Sequence, residues 1–187
     1  MADPITPKTN FLSFDVETNG LHGQAFAVGA VLMRANMEII DEFSGRCPIE
    51  GAVDPWVEKN VLPSIADLPT KYPDGLALRE AFWQWYTVVK TQADYTIVNN
   101  GYPSEARFLI ACQEDDLEKR YNEHPFPLIE LNSLLLQVGV KPLALKKKFV
   151  EDEIQGQPPL HHHPRWDAWV TALAAIKALK MSGQLKI

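Results

Sequence analysis

Two carboxylates two residues apart, Asp15 and Glu17, lie inside the otherwise apolar run Phe11-Leu12-Ser13-Phe14-Asp15-Val16-Glu17-Thr18. Alternate side chains of a strand share a face, so this spacing sets both acids side by side. Like charges in a buried strand are costly unless something positive holds them, and a divalent ion with oxygen ligands is the simplest partner. An edge strand with a solvated acidic face is the other reading, and these two residues alone leave both open. A second group, His161-His162-His163-Pro164-Arg165-Trp166-Asp167, stands near the C-terminus. Pro164 suits a first helical turn, and the helix dipole by itself accounts for Asp167 there. It leaves the histidine triplet unexplained. A metal site and a solvated loop are both open to such a triplet. Adjacent side chains do not readily converge on one ion, so one functional histidine with two neighbours is the preferred reading.

Together, Phe-Asp-Val-Glu-Thr early and His162-x4-Asp167 late resemble the DEDDh branch of the 3′-to-5′ exonuclease superfamily, which includes proofreading exonucleases, RNase T and oligoribonuclease. The likeness spans residues 11–175. That family carries a further acid on a helix after the fourth strand, usually an aspartate with a leucine four residues on. Glu105, followed by Leu109, stands there in this chain, which is a departure. One extra methylene shifts a carboxylate by on the order of 1 Å, enough to matter in a preorganised site. An ordinary glutamate near a helix start is the alternative reading of Glu105.

The resemblance implies an α/β fold, a ribonuclease H-like mixed five-stranded sheet flanked by helices. It implies two Mg2+ or Mn2+ ions about 4 Å apart, held by Asp15, Glu17 and Asp167, with Asp15 bridging and Glu105 supporting one ion through water. His162 would then be the general base, a task imidazole performs most often. Single-stranded nucleic acid with a free 3′ end would be the substrate and nucleoside 5′-monophosphates the product. Gly20 and Leu21 match the small and apolar positions that lie under the terminal base and sugar in the family, and Thr18 and Tyr102 join them as candidate substrate contacts. Asp54-Pro55-Trp56-Val57-Glu58-Lys59-Asn60-Val61 is similar to a Trp-containing segment of oligoribonuclease-like relatives, which favours RNA over DNA. The competing reading is a catalytically weak or inactive member that binds nucleic-acid ends or a protein partner, and Glu105 is its basis.

The rest of the chain must position these groups. Its 187 residues, 46% hydrophobic and 22% charged, suit one soluble domain. We expect a flexible tail over residues 1–10 and a single domain over 11–187. No apolar run approaches the roughly 20 residues of a membrane span, and the N-terminus lacks the pattern of a secretion signal. Cys47 and Cys112 are too few and too far apart for a disulfide framework, so a reduced cytoplasmic setting is the default expectation. A net charge of -6 argues against holding nucleic acid by bulk electrostatics, although an enzyme reaching phosphates through metal ions needs acids.

Apolar patterning predicts strands at 11–18, 25–33, 38–43, 95–98 and 126–131, the second and third as a hairpin. It predicts a short helix over 54–61 capped by Asp54, a long one opened by Asp74, one starting at Pro103-Ser104, short pieces at 133–138 and 143–149, and a last helix over 164–181. The long helix carries Phe82, Trp83, Trp85 and Tyr86 on more than one side, which requires either deep burial or a partner such as a second copy of the chain. Phe108, Trp166 and Trp169 read as core. Lys146-Lys147-Lys148 reads either as a solvated face or as a contact to the phosphate backbone.

Overall fold

A computed structural model describes residues 5–141, 146–154 and 162–185. Strands β1 (Asn10–Thr18), β2 (Ala25–Arg34) and β3 (Ile39–Arg46) form an antiparallel meander, and β4 (Tyr95–Val98) and β5 (Leu128–Glu130) add in parallel beyond β1. The order across this five-stranded mixed sheet is β3-β2-β1-β4-β5. Helices cover both faces, which is why β1 and β2 are nearly continuous apolar runs instead of alternating ones.

Period-two alternation along β1 divides the interior. Leu12, Phe14 and Val16 point into one cluster with Phe82 and Tyr86 of α2 (Gly75–Val89) and Phe108 of α3 (Ala106–Glu114). Phe11 points the other way, against Ile97, Leu131 of α5 (Leu131–Gln137) and Trp166, Val170 and Leu173 of α7 (Pro164–Met181). Helix α7 packs against β1 and β2 and is buried on nearly every side, with the small residues Ala168, Ala172, Ala174, Ala175 and Ala178 among its buried positions.

Local rules account for much of this. The Asp54 carboxylate accepts from the N–H groups of Trp56 and Val57 at 2.8 and 3.3 Å, capping α1 (Pro55–Asn60), whose first position is proline. Asp74 accepts from Ala77 N–H at 2.8 Å and opens α2. The aromatic side chains of α2 are covered by the chain itself: Phe82, Trp83 and Tyr86 are buried, and Trp85 packs on the same cluster while its Nε1 donates to Asp41 Oδ1 at 3.1 Å. Cys47 and Cys112 are buried free thiols.

Several expectations need adjustment. The third strand runs three residues further, to Arg46, and the fifth is shorter, Leu128–Glu130. A 3-10 turn (Leu62–Ile65) and a one-turn helix α4 (Leu117–Arg120) occupy stretches where the patterning predicts no element. Within the stretch expected as a tail, Ile5 bridges Leu185, and the carbonyl of buried Thr9 accepts from Ala35 N–H at 2.8 Å. Of the short helix expected over 143–149, α6 (Lys146–Phe149) is seen, while 143–145 lie outside the described residues. Among the described residues no helix is long and apolar enough to cross a membrane.

Candidate metal centre

Asp15 and Glu17 leave β1 on the α7 side of the sheet, beyond the point where the apolar residues of that face end. Asp15 is paired across the β1–β2 ladder with Gly29. A Cβ on Gly29 would sit 2.0 Å from the amide nitrogen of Arg165 and 2.3 Å from the carbonyl carbon of Pro164, so only glycine lets the start of α7 rest directly on β2. The helix is held there from its flank as well, because Arg165 Nε donates to Glu42 Oε2 at 2.9 Å, on β3. Asp167, in the first turn of α7, is thereby set opposite Asp15 and Glu17. One carboxylate oxygen from each of the three lies within 4.8 Å of the other two.

The fourth acid comes from the segment after β4. Residues Gly101–Glu105 form a wide π-type turn leading into α3, so the regular helix begins three residues later than the sequence suggests. Contacts distant in sequence hold this turn: Gly101 N–H donates to Glu130 Oε1 at 2.7 Å, and Asn132 Nδ2 donates to Asn100 Oδ1 at 2.6 Å. Glu105 is buried and lines the same cavity, of about 340 Å³, as Asp15, Glu17, Asp167, His162, Leu21 and Tyr102. The cavity lies at the C-terminal ends of the parallel strands β1 and β4, where open α/β sheets place their sites.

Electrostatics set these carboxyls apart. Burial, with the negative charges of Asp167 and Glu17 close by, raises Asp15 well above the usual carboxylate range. Burial and Asp167 push Glu17 up to about 8, and burial pushes Glu105 up to about 7. The Lys146 ammonium acts in the opposite direction on all three. A set of hard oxygen donors crowded this closely could hold a metal ion. Charge neutralisation by such an ion would remove the repulsion that now favours protonation.

The histidine triplet separates as its spacing suggests. His162 has a left-handed backbone (φ 57°) and lines the cavity, with its ring 5.2 Å from that of Trp56 in an edge-on arrangement. His163 is buried, with Nε2 3.9 Å from Asp67 Oδ1, and His161 lies outside the described residues. Beside the acids, a second hollow of about 380 Å³ is walled by Thr18, Gly20, Leu21, Asp54, Trp56 and His162. The β1–β2 turn shapes it: Gly20 has φ +75°, and Asn19 Oδ1 accepts from Asp54 N–H at 2.7 Å, tying the turn to α1. Leu21 and Trp56 are 65% and 56% exposed, a large apolar surface to leave facing a polar cleft.

All nine residues proposed from sequence thus border the cavity or the adjoining hollow. Sequence reasoning missed Ser104, whose Oγ is 3.5 Å from Thr18 Oγ1. It missed Gly29, Glu130 and Asn132, which act on the site through the backbone. It also left Lys146 undecided, although this side chain is part of the cavity wall. Phe108, Trp166 and Trp169 pack in the interior as expected, and Tyr102 is 76% exposed at the cavity. No protein-family model and no curated protein sequence matches this chain.

Proposed function

We propose that this protein is a metal-dependent 3′-to-5′ exonuclease of the DEDDh kind that shortens single-stranded nucleic acid, RNA in preference to DNA, releasing nucleoside 5′-monophosphates. The observation that carries this reading is the convergence of Asp15, Glu17 and Asp167 within 4.8 Å, on a cavity shared with Glu105 and His162. The mixed five-stranded sheet with helices on both faces agrees with the ribonuclease H-like fold that the sequence resemblance implies. Asp15, Glu17 and Asp167 would hold two Mg2+ or Mn2+ ions with help from Glu105, and such ions supply water activation and stabilisation of the leaving oxygen.

The chain's own groups do the remainder. His162, at the junction of cavity and hollow, accepts the proton of the attacking water on an imidazole nitrogen. Leu21 and Trp56 offer apolar faces to the terminal base, a sequence-tolerant way of holding a single strand. The hydroxyls of Thr18 and Ser104, 3.5 Å apart on the wall of the hollow, would hydrogen-bond polar atoms of the terminal nucleotide.

The test is digestion of 5′-labelled single-stranded RNA and DNA with Mg2+ or Mn2+. Stepwise shortening from the 3′ end, faster on RNA and lost in Asp15→Ala, is the expected result. Substrate left intact under every metal condition overturns the proposal.

A further inference from the structure

Three consecutive lysines at the start of α6 take three different courses. Lys148 is exposed, and Lys147 Nζ lies 5.3 Å over the Trp166 ring. Lys146 turns into the cavity, where its Nζ donates to Thr171 Oγ1 at 3.1 Å and stands 3.9 Å from Asp167 Oδ1. Thr171 is fully buried and one helical turn beyond Asp167 on the same side of α7, so it gives the ammonium a fixed point beside the acids. Lys146 lines the same cavity as all four carboxylates.

Building on the metal site proposed above, we infer that Lys146 is the resident counter-cation of the carboxylate cluster and competes with the divalent ion for it. An ammonium on a flexible four-carbon stem is a compact point charge that can retreat without unfolding its surroundings. A sodium or potassium ion would replace one unit charge with another and gain little. A divalent ion brings twice the charge and several oxygen ligands at once, and so displaces the lysine. Lys146 therefore sets a threshold: the site stays closed to monovalent cations and loads only above a minimum concentration of Mg2+ or Mn2+.

Calorimetric titration of Mg2+ into the wild type, Lys146→Met, Lys146→Arg and Lys148→Met, at constant ionic strength, tests this without reference to activity. Removing the repulsion between an ammonium and a divalent ion a few ångströms away is expected to tighten Mg2+ binding by at least roughly tenfold in Lys146→Met. Lys146→Arg, which keeps the charge, should stay within about threefold of wild type, and Lys148→Met, which loses the same charge outside the cavity, within about twofold. Lys146→Gln serves as a second neutral variant should the methionine variant fail to fold. Unchanged or weaker Mg2+ binding in a folded neutral variant overturns the role of Lys146 and leaves the metal site standing. A wild-type protein that binds no Mg2+ at millimolar concentration overturns both.

Discussion

The two faces of β1 solve opposite problems with one strand. Leu12, Phe14 and Val16 close a dry aromatic cluster, while on the other face Phe11 gives way to Ser13, Asp15 and Glu17, and apolar packing stops where the acids begin. On the first face, burial stabilises the fold. On the second, burial is a cost, because it holds like charges close together and raises Asp15 and Glu17. The difference teaches that the site is sustained by the rest of the structure and contributes little to it in the metal-free state. Such a separation can be broken from either side.

The largest expected effect is on the polar face. Asp15→Asn should lower the proposed nuclease activity by at least about 10³-fold, the scale of losing a group that holds transition-state charge. The same change should raise the metal-free melting temperature, since it removes a repelled carboxylate. A variant that loses both activity and stability would mean that Asp15 is structural. On the apolar face, Phe14→Ala should cost about 3–5 kcal/mol in urea unfolding. The protein that stays folded should bind Mg2+ as before. A large loss of Mg2+ affinity there would show the faces to be coupled.

A pH series sharpens the contrast. Glu17 has an ordinary value of 4.5 and is raised to about 8 in the folded chain, so between these limits the native state keeps a proton that the unfolded state has lost. Its contribution to stability is complete below about 4.5 and is lost as the pH rises through about 8. The metal-free protein should therefore melt at progressively lower temperature across this window, and excess Mg2+ should flatten the decline; a metal-free profile that is already flat would contradict the electrostatic account. The smallest effect is expected for Glu105→Asp, which should keep activity within about tenfold and shift the balance between Mg2+ and Mn2+. A loss as deep as that of Asp15→Ala, read in the same labelled-substrate assay, would show that the turn before α3 is built around the longer side chain.

What could be read from sequence follows the range of the forces involved. Period-two spacing revealed which face of β1 carries the acids, and the capping aspartates 54 and 74 located the starts of α1 and α2, because each depends on neighbours a few residues away. The bounds of α7 were legible for the same reason, from Pro164 onward. The turn at Gly101–Glu105 was not, since the groups that fasten it, Glu130 and Asn132, lie about thirty residues further on. Within the site, Asp15 and Glu17 stood out by type and spacing, whereas Asp167, His162 and Glu105 were proposed through the family resemblance. Lys146 did not stand out, because three adjacent lysines look alike until a short helix sends them in different directions.

Gly29 bears on the kinds of ion the cleft will tolerate. Backbone rests on backbone where α7 meets β2, with no side chain between them to yield. The separation between the strand that carries Asp15 and the helix that carries Asp167 is therefore a fixed gauge, and only the carboxylates themselves can adjust. Calcium bonds are about 0.3–0.5 Å longer than those of magnesium and call for more ligands. For the divalent ions proposed above, ionic radius would then be a criterion of selection in a cleft of set width, imposed by a residue that has no side chain.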